Sequence, residues 1–274
     1  MTVLRSKHRL FTIDTPKVMG ILNCTPDSFY KESRVNSESV LEIAAQMLEE
    51  GADILDLGGQ STRPGAQQIG ETAEIDRVVP ITEMLRKSFP KAWLSIDTYY
   101  ASVAKAAVNA GADMVNDISA GLDDPNMLST VSKLDVPYIA MHKKGTPETM
   151  QDNPNYKNPS KEIIDFFIQH LKEIKSAGIK DCIIDPGFGF GKSAEHNFKI
   201  VKELNSFNIF EEPLLVGFSR KSMIYKSLNI QPAEALNGTT FLHAIALQKG
   251  ASILRVHDVK EARECIQLNT SLNK

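Results

Sequence analysis

The stretch CIIDPGFGFGKS, Cys182–Ser193, joins a short apolar run to a carboxylate, to glycines at alternate positions and to a Lys-Ser pair. The nucleotide loop G-x-x-x-x-G-K-[ST] would need glycine where Pro186 stands, and the dinucleotide pattern G-x-G-x-x-G fails because the spacing is G-x-G-x-G. The glycines therefore serve another purpose, Lys192-Ser193 reads as ordinary helix-entry sequence, and Asp185 becomes the residue of chemical interest. Other apolar runs also end in polar side chains: Asn23, Asp56, Asp97, Asn116 with Asp117, His142, Ser219 with Arg220 and Lys221, and Arg255 with His257. A single Asp or Asn after a strand is usually a turn former or a helix cap. A whole ring of them is harder to dismiss. Asp97 and Asp185 directly follow apolar residues, where an unpaired carboxylate is costly, so donors must face them. Carboxylates with an amide suit a flat heterocycle rich in N–H groups, which a carboxylate grips by two parallel hydrogen bonds. Arg63, Arg255 and His257 suit phosphate. These residue types hint at a nitrogen heterocycle joined to a phosphate.

Such a ring needs elements that bring distant residues to one face. Short apolar runs alternate with longer helical patterns: VMGILN (Val18–Asn23), DILDL (Asp53–Leu57), AWLSID (Ala92–Asp97), DMVND (Asp113–Asp117), VPYIAMH (Val136–His142), CIIDP (Cys182–Pro186), PLLVGFS (Pro213–Ser219) and SILRVHD (Ser252–Asp258). They are apolar without alternation, as expected of parallel strands buried on both faces. Between them, Val40, Leu41, Ala44, Met47 and Leu48 form one helical stripe, and Ile163, Phe166, Phe167, Ile168, Leu171 and Ile174 form another. EEGADILDLGG, NAGADMVNDIS and QKGASILRVHD repeat one design, in which a glycine turns a helix end into a strand. Eight such units predict an α/β fold, a (β/α)₈ TIM barrel forming a single domain over residues 1–274. An open doubly wound sheet is the runner-up, but no glycine fingerprint follows the first run.

The bulk numbers fit. A chain of 274 residues suits one such barrel. A net charge of −3 offers no general field for nucleic acid or anionic lipid, so an anionic ligand must be held by local cations. Cys24, Cys182 and Cys265 form neither a metal pair nor a disulfide framework, which fits a reduced cytoplasm. No signal-peptide core and no membrane-length apolar run is visible.

The motifs MGILNCTPDSFY (Met19–Tyr30), GADILDLGGQSTRPGA (Gly51–Ala66), SIDT (Ser95–Thr98), VNDIS (Val115–Ser119), DPGFGFGK (Asp185–Lys192), GFSRKS (Gly217–Ser222) and LRVHD (Leu254–Asp258) together resemble the dihydropteroate synthase family, in order and over essentially the whole chain. The resemblance implies a homodimeric (β/α)₈ barrel that joins 6-hydroxymethyl-7,8-dihydropterin diphosphate to 4-aminobenzoate with Mg²⁺, giving 7,8-dihydropteroate and pyrophosphate by an SN1-like course. It also implies that sulfonamides compete with 4-aminobenzoate. For the pterin it implies Asp97, Asn116, Asp185, Lys221, Met141 and Arg255, of which Lys221, Arg255 and Asp97 count as catalytic. For the diphosphate it implies Asn23, Arg63, Arg255 and His257, with Asn23 also on Mg²⁺. The aminobenzoate pocket falls to Thr62, Pro64, Phe190, Lys221 and Ser222, with Ser222 at a helix start favouring the carboxylate. Thr25, Asp27 and Phe29 belong to a lid loop.

The first loop, TPDSFYKESR, departs from the family pattern by carrying Lys31 where an acid is common, with Glu32 beside it. Two other readings compete: a methyltransferase of the related pterin-binding barrels, and a paralogue that binds pterin without turnover. STRPGA, SRKS and RVHD favour the synthase over both. No local histidine partners Cys24 as a nucleophile, His142 reads as a wall residue, and Asp56 reads as a brace for Arg63 or Arg255.

Overall fold

The computed structural model describes residues 1–7, 9–24, 35–60, 68–145 and 154–273. An antiparallel hairpin, β1 (Thr2–Ser6) and β2 (Arg9–Ile13), comes first and is not foreshadowed by the apolar runs. The eight expected strands follow: β3 (Lys17–Asn23), β4 (Ile54–Gly58), β5 (Trp93–Asp97), β6 (Met114–Asp117), β7 (Tyr138–Met141), β8 (Cys182–Asp185), β9 (Leu215–Val216) and β10 (Ile253–Val256). They form one parallel sheet in which β10 lies between β3 and β9. A parallel bridge from Ile184 to Leu214 joins β8 to the β9 side, so the sheet curls into a barrel.

The helices are α1 (Val35–Glu49), α2 (Glu71–Ser88), α3 (Ala101–Ala110), α4 (Met127–Leu134), α5 (Pro159–Ser176), α6 (Ala194–Lys202), α7 (Ser222–Leu228), α8 (Leu236–Gln248) and α9 (Val259–Leu272). Each packs an apolar stripe on the strands, as the α5 residues Ile163, Phe167, Leu171 and Ile174 do. Ile168, expected in that stripe, is instead exposed, because it lies on the outer side of the helix. Gly51, Gly111 and Gly250 all have positive φ at the repeated helix-to-strand turn, which explains the sequence echo. No helix among the described residues is long and apolar enough to cross a membrane.

Side chains along a strand alternate between its two faces. Val18, Leu55, Leu94, Val115, Ala140, Ile184, Val216 and Leu254 face the helices. Their neighbours Met19, Ile54, Trp93, Met114, Ile139, Ile183, Leu215 and Ile253 fill the barrel, one from each strand, and Leu4, Phe11 and Ile13 of the hairpin plug this layer from below. Two residues further along, the same inward face carries Ile21, Asp56, Ser95, Asn116, Met141, Asp185, Gly217 and Arg255. The next step brings Asn23, Gly58, Asp97 and His257. The barrel is therefore apolar at the N-terminal ends of its strands and polar at the C-terminal ends.

The apolar end has its own charged fastening. Buried Asp113 accepts hydrogen bonds from Arg9 at 2.7 Å, Arg86 at 2.6 Å and the backbone N–H of Leu94 at 2.9 Å, while Arg9 lies over the Trp93 ring. Asp113→Ala removes the carboxylate that these two arginines share, and breaking such a pair costs about 3–5 kcal/mol. We expect Tm to fall by roughly 10 °C in calorimetry. Turnover per folded molecule should stay unchanged, because this cluster lies at the far end of the barrel from the polar layers.

Candidate functional site

The polar layers are built around one guanidinium. Arg255 donates from Nε to Asp56 Oδ2 at 2.7 Å and from Nη2 to Asp97 Oδ2 at 2.6 Å. Asn116 Nδ2 donates to the same Asp56 oxygen at 3.0 Å. That bond settles the Asn116 amide: its N–H₂ faces Asp56, and its carbonyl oxygen is left as an acceptor. Asp56 is fully buried and braces Arg255, the second of the two roles open to it in the sequence. Burial pushes the Asp97 carboxyl above its ordinary range, against the pull of Arg255.

Across the cup stand Asp185 and Lys221. Asp185 Oδ1 accepts the Gly187 backbone N–H at 2.7 Å, and burial raises its pKa against the pull of Lys221. Lys221 Nζ donates to the Phe188 carbonyl at 2.5 Å and lies 4.8 Å from the centre of the Phe190 ring. Burial pushes the Lys221 ammonium down to about 8, with Asp185 pulling the other way. Gly217 occupies an inward position, and a Cβ there would meet Lys221 Nζ and the Arg255 carbonyl at 3.8 Å. Met141 packs with Tyr99 and Ile118 as an apolar wall, and Phe190 lies against it.

At the rim, Ser219 Oγ accepts the backbone N–H of His257 at 3.2 Å and lies 2.9 Å from its Nδ1. Asn23 ends β3, beside Gly58 of β4. Ser222 opens the seven-residue helix α7, immediately after Lys221.

The structure thus brings together Asp56, Asp97, Asn116, Met141, Asp185, Phe190, Lys221 and Arg255, with His257 on the neighbouring rim. Thr25, Asp27, Phe29, Lys31 and Glu32 of the first loop lie outside the described residues, as do Thr62, Arg63 and Pro64 of the second. Three members of the sequence ring turn away from the cup. Asp117 faces outward and accepts from Ser119, Gly121 and Tyr138. His142 packs on Phe166 and Tyr156, and Arg220 pairs with Asp258 at 2.8 Å. Asp117 and His142 are each displaced by one position from an inward residue, and along extended backbone one position reverses the face, whereas Arg220 leaves the cup at a turn where its φ is 53°. Cys24 is buried with its thiol pushed up to about 12, chiefly by burial, so no thiolate is available.

Sequence reasoning missed one buried residue. Lys192 is 2% exposed and donates to the carbonyls of Gly187 at 2.8 Å, Phe190 at 3.0 Å and His142 at 3.1 Å. Its neighbour Ser193 does cap α6, in a reciprocal pair with His196. The glycines before it are required by geometry. Gly187, Gly189 and Gly191 have φ of 70°, 85° and 67°. A Cβ would come within 2.0 Å of the His142 carbonyl oxygen at Gly187, and within 2.1 Å of that of Lys144 at Gly191.

Comparison with known proteins puts this geometry in context. The pterin binding enzyme family profile matches residues 19–257. Dihydropteroate synthase of Haemophilus influenzae is 43% identical over 268 residues, covering 97% of each chain. The crystal structure of the Yersinia pestis dihydropteroate synthase with a sulfonamide drug complex superposes with a TM-score of 0.93 at 40% identity, covering 99% of both chains. The Xanthomonas albilineans dihydropteroate synthase with 4-aminobenzoic acid does so with a TM-score of 0.92 at 37% identity, covering 99% of this chain and 98% of that one.

The electrostatics of the cup can be tested directly. We expect the Lys221 ammonium to titrate near pH 8 in NMR of lysine-labelled protein. Asp185 holds this pKa up, so Asp185→Asn should lower it further, by about one unit or more. A Lys221 titration at the ordinary lysine value would show that burial does not outweigh the attraction of Asp185 and Asp97 there.

Proposed function

The chain belongs to the pterin binding enzyme family, and from that premise we propose that it works as a dihydropteroate synthase, joining 6-hydroxymethyl-7,8-dihydropterin diphosphate to 4-aminobenzoate. The observation that carries the reading is the inward layer in which Asp56–Arg255–Asp97, Asn116, Asp185 and Lys221 share one cup. In this reading the whole chain, 1–274, acts as one pterin-binding barrel domain.

The bicyclic ring lies in the cup. Asp185 accepts from its N3–H and 2-amino edge, as a carboxylate accepts from a guanidinium. The Asn116 carbonyl, freed by the bond from its amide to Asp56, accepts from the amino edge. Asp97 meets a further ring N–H, Lys221 donates to the ring carbonyl, and Met141 lies against the ring face. Arg255, fixed on two sides, presents its guanidinium to the pterin and faces the diphosphate side. The pterin methylene–oxygen bond then breaks, and its electron pair leaves with pyrophosphate. Arg255, His257 and Arg63 take up the charge that grows on the leaving group. The arylamine nitrogen attacks the methylene carbon and releases its proton. Phe190, Ser222, Thr62, Pro64 and the Lys221 stem wall the aminobenzoate, and Thr25, Asp27 and Phe29 close over it. A sulfonamide, which shares the arylamine, would compete for that pocket.

Among the described residues there is no group of three or more acidic, His or Cys side chains able to hold a metal ion. Mg²⁺ commonly takes one or two protein oxygens together with substrate phosphates, and the Asn23 side chain at the end of β3 suits that part. When bound, the ion would neutralise charge on the diphosphate.

Two exposed apolar side chains on neighbouring helices support a homodimer. Phe241 on α8 is 64% exposed and Leu268 on α9 is 68% exposed, and these two helices pack side by side. The free, buried cysteines fit a reducing cytoplasm.

Formation of 7,8-dihydropteroate, with release of pyrophosphate, should require pterin diphosphate, 4-aminobenzoate and Mg²⁺ together. Asp185→Asn turns an acceptor pair into a mixed donor and acceptor. Loss of a charged hydrogen bond of about 1.5–3 kcal/mol should weaken pterin affinity by about 10- to 100-fold in calorimetry. No 7,8-dihydropteroate from the three together would reject the activity, and an unchanged affinity would reject the role of Asp185. For assembly, sedimentation should give a dimer, which Phe241→Lys shifts toward monomer; a monomeric wild type would remove the homodimer.

A further inference from the structure

The Lys-Ser pair after the glycines has no part in the reaction as described, yet its lysine is among the most buried side chains of the molecule. Lys192 makes no ion pair among the described residues. Its ammonium meets three carbonyl oxygens instead: His142 from the end of β7, and Gly187 and Phe190 from the loop after β8. An ammonium has three N–H donors and no acceptor, which matches three carbonyls. A neutral amine has two donors and a lone pair, and would leave one carbonyl facing that lone pair. A hydrocarbon would leave all three unpaired in the interior, where each lost partner is costly.

These carbonyls belong to the backbone that presents the substrate-facing groups. Gly187 gives its N–H to Asp185, Phe188 gives its carbonyl to Lys221, and Phe190 carries the ring beside the Lys221 ammonium. Asn197 ties the same loop from the helix side, accepting from Gly189 at 2.9 Å and donating to the carbonyls of Lys192 and Ser193. The loop is therefore held between a buried cation and a buried amide, and its positive-φ glycines let it approach the β7 backbone closely enough to share that cation.

We infer that Lys192 is a positioning residue: its ammonium, bonded to three converging carbonyls, fixes the loop that offers Asp185 to the pterin and Phe190 to the arylamine, and it supplies a buried positive charge behind Asp185. The inference rests on the pterin-binding reading of Asp185. The charged and titratable groups acting on Lys192 are Asp185, Lys221, Lys144 and His142, and those acting on Asp185 include Lys221, Arg255 and Lys192. Burial pushes the Lys192 ammonium well down and Asp185 opposes that push, while Lys192 in turn helps hold the Asp185 carboxyl down.

The sign follows. Removing the lysine raises the Asp185 pKa, so the ionised carboxylate is lost at a higher pH. For Lys192→Met we expect pterin diphosphate affinity, measured by calorimetry without arylamine, to fall at least tenfold at pH 8 and by more at pH 6. KM for 4-aminobenzoate should rise through the misplaced Phe190. Lys192→Gln keeps two donors without the charge, so it should recover part of the aminobenzoate KM and none of the pH shift. A merely structural lysine would lower Tm while leaving affinity, KM and pH profile of the folded variant at wild-type values, and that result overturns the inference. Should neither variant fold, the wild type decides: NMR at neutral pH should show a slowly exchanging Lys192 NH₃⁺ that shifts when pterin diphosphate binds, and a neutral amine or an unshifted signal overturns the proposal. Asp185→Asn separates the two levels. Unchanged pterin affinity in that variant sinks the reading of Asp185 itself, whereas a weakened Asp185→Asn beside an unaffected Lys192→Met sinks only the role of Lys192.

Discussion

The upper half of the barrel depends on Arg255 being held by two carboxylates at once. Asp56 and Asp97 lie on neighbouring strands, and Arg255 reaches both from the strand on the other side of β3. Without the guanidinium, two buried carboxylates would repel each other across adjacent strands. Without either carboxylate, a cation would stand unbalanced in the interior. Around this triad the charges continue to balance: Asp185 faces Lys221, with Lys192 behind it. Three carboxylates thus share the region with three cations. Each buried ion costs several kcal/mol in lost hydration, and a packed apolar layer would often be at least as stable. The arrangement makes sense as preorganisation. Its donors and acceptors are already fixed when ligand arrives, so no reorganisation is needed as charge develops on a leaving group.

The same two-residue period that builds the barrel divides its interior into layers with different tasks. On β8, Ile183 contributes to the apolar plug and Asp185 to the cup; on β10, Ile253 and Arg255 do the same. Stability and function sit two residues apart on one strand face, about 6–7 Å along the strand. The lower layer is closed by the hairpin and by Asp113 between two arginines, so the upper layer can remain open and polar.

Much of this was legible in the sequence because the strand runs are short, apolar and evenly punctuated, and because a whole ring of polar residues at their ends is harder to explain as turns and caps than any one of them. The facing of individual side chains was not. An apolar run buried on both sides shows no alternation, so its phase is hidden, and Asn116 and Asp117 look equally eligible until the register is known. The structure sends Asn116 inward to Asp56, and Asp117 outward to Tyr138. His142 was hidden in the same way, and Arg220 because a left-handed turn, not a strand register, sets its direction. The hairpin escaped notice because the residues that plug the barrel, Leu4, Phe11 and Ile13, are too sparse to form a run. Lys192 escaped because a lysine at the mouth of a helix is ordinarily solvated, and nothing in its neighbours announces three inward carbonyls.

The glycine loop shows why pattern matching without geometry misleads. A phosphate loop turns successive backbone N–H groups toward one point and so creates a site for an anion. The loop after β8 turns two carbonyls, those of Gly187 and Phe190, toward one point, and it places a cation of the chain itself there. Glycine serves both, because either convergence needs positive φ and close backbone approach. The polarity is opposite. A lysine in a phosphate loop reaches outward to the ligand, whereas Lys192 reaches inward and is consumed by the loop. The residue left to face a ligand is then the carboxylate at the loop's start. Asp185 takes one N–H, from Gly187, and its other oxygen remains able to accept. A loop that resembles an anion cradle in composition is, by the direction of its carbonyls, a mount for an anion of the chain itself, the Asp185 carboxylate.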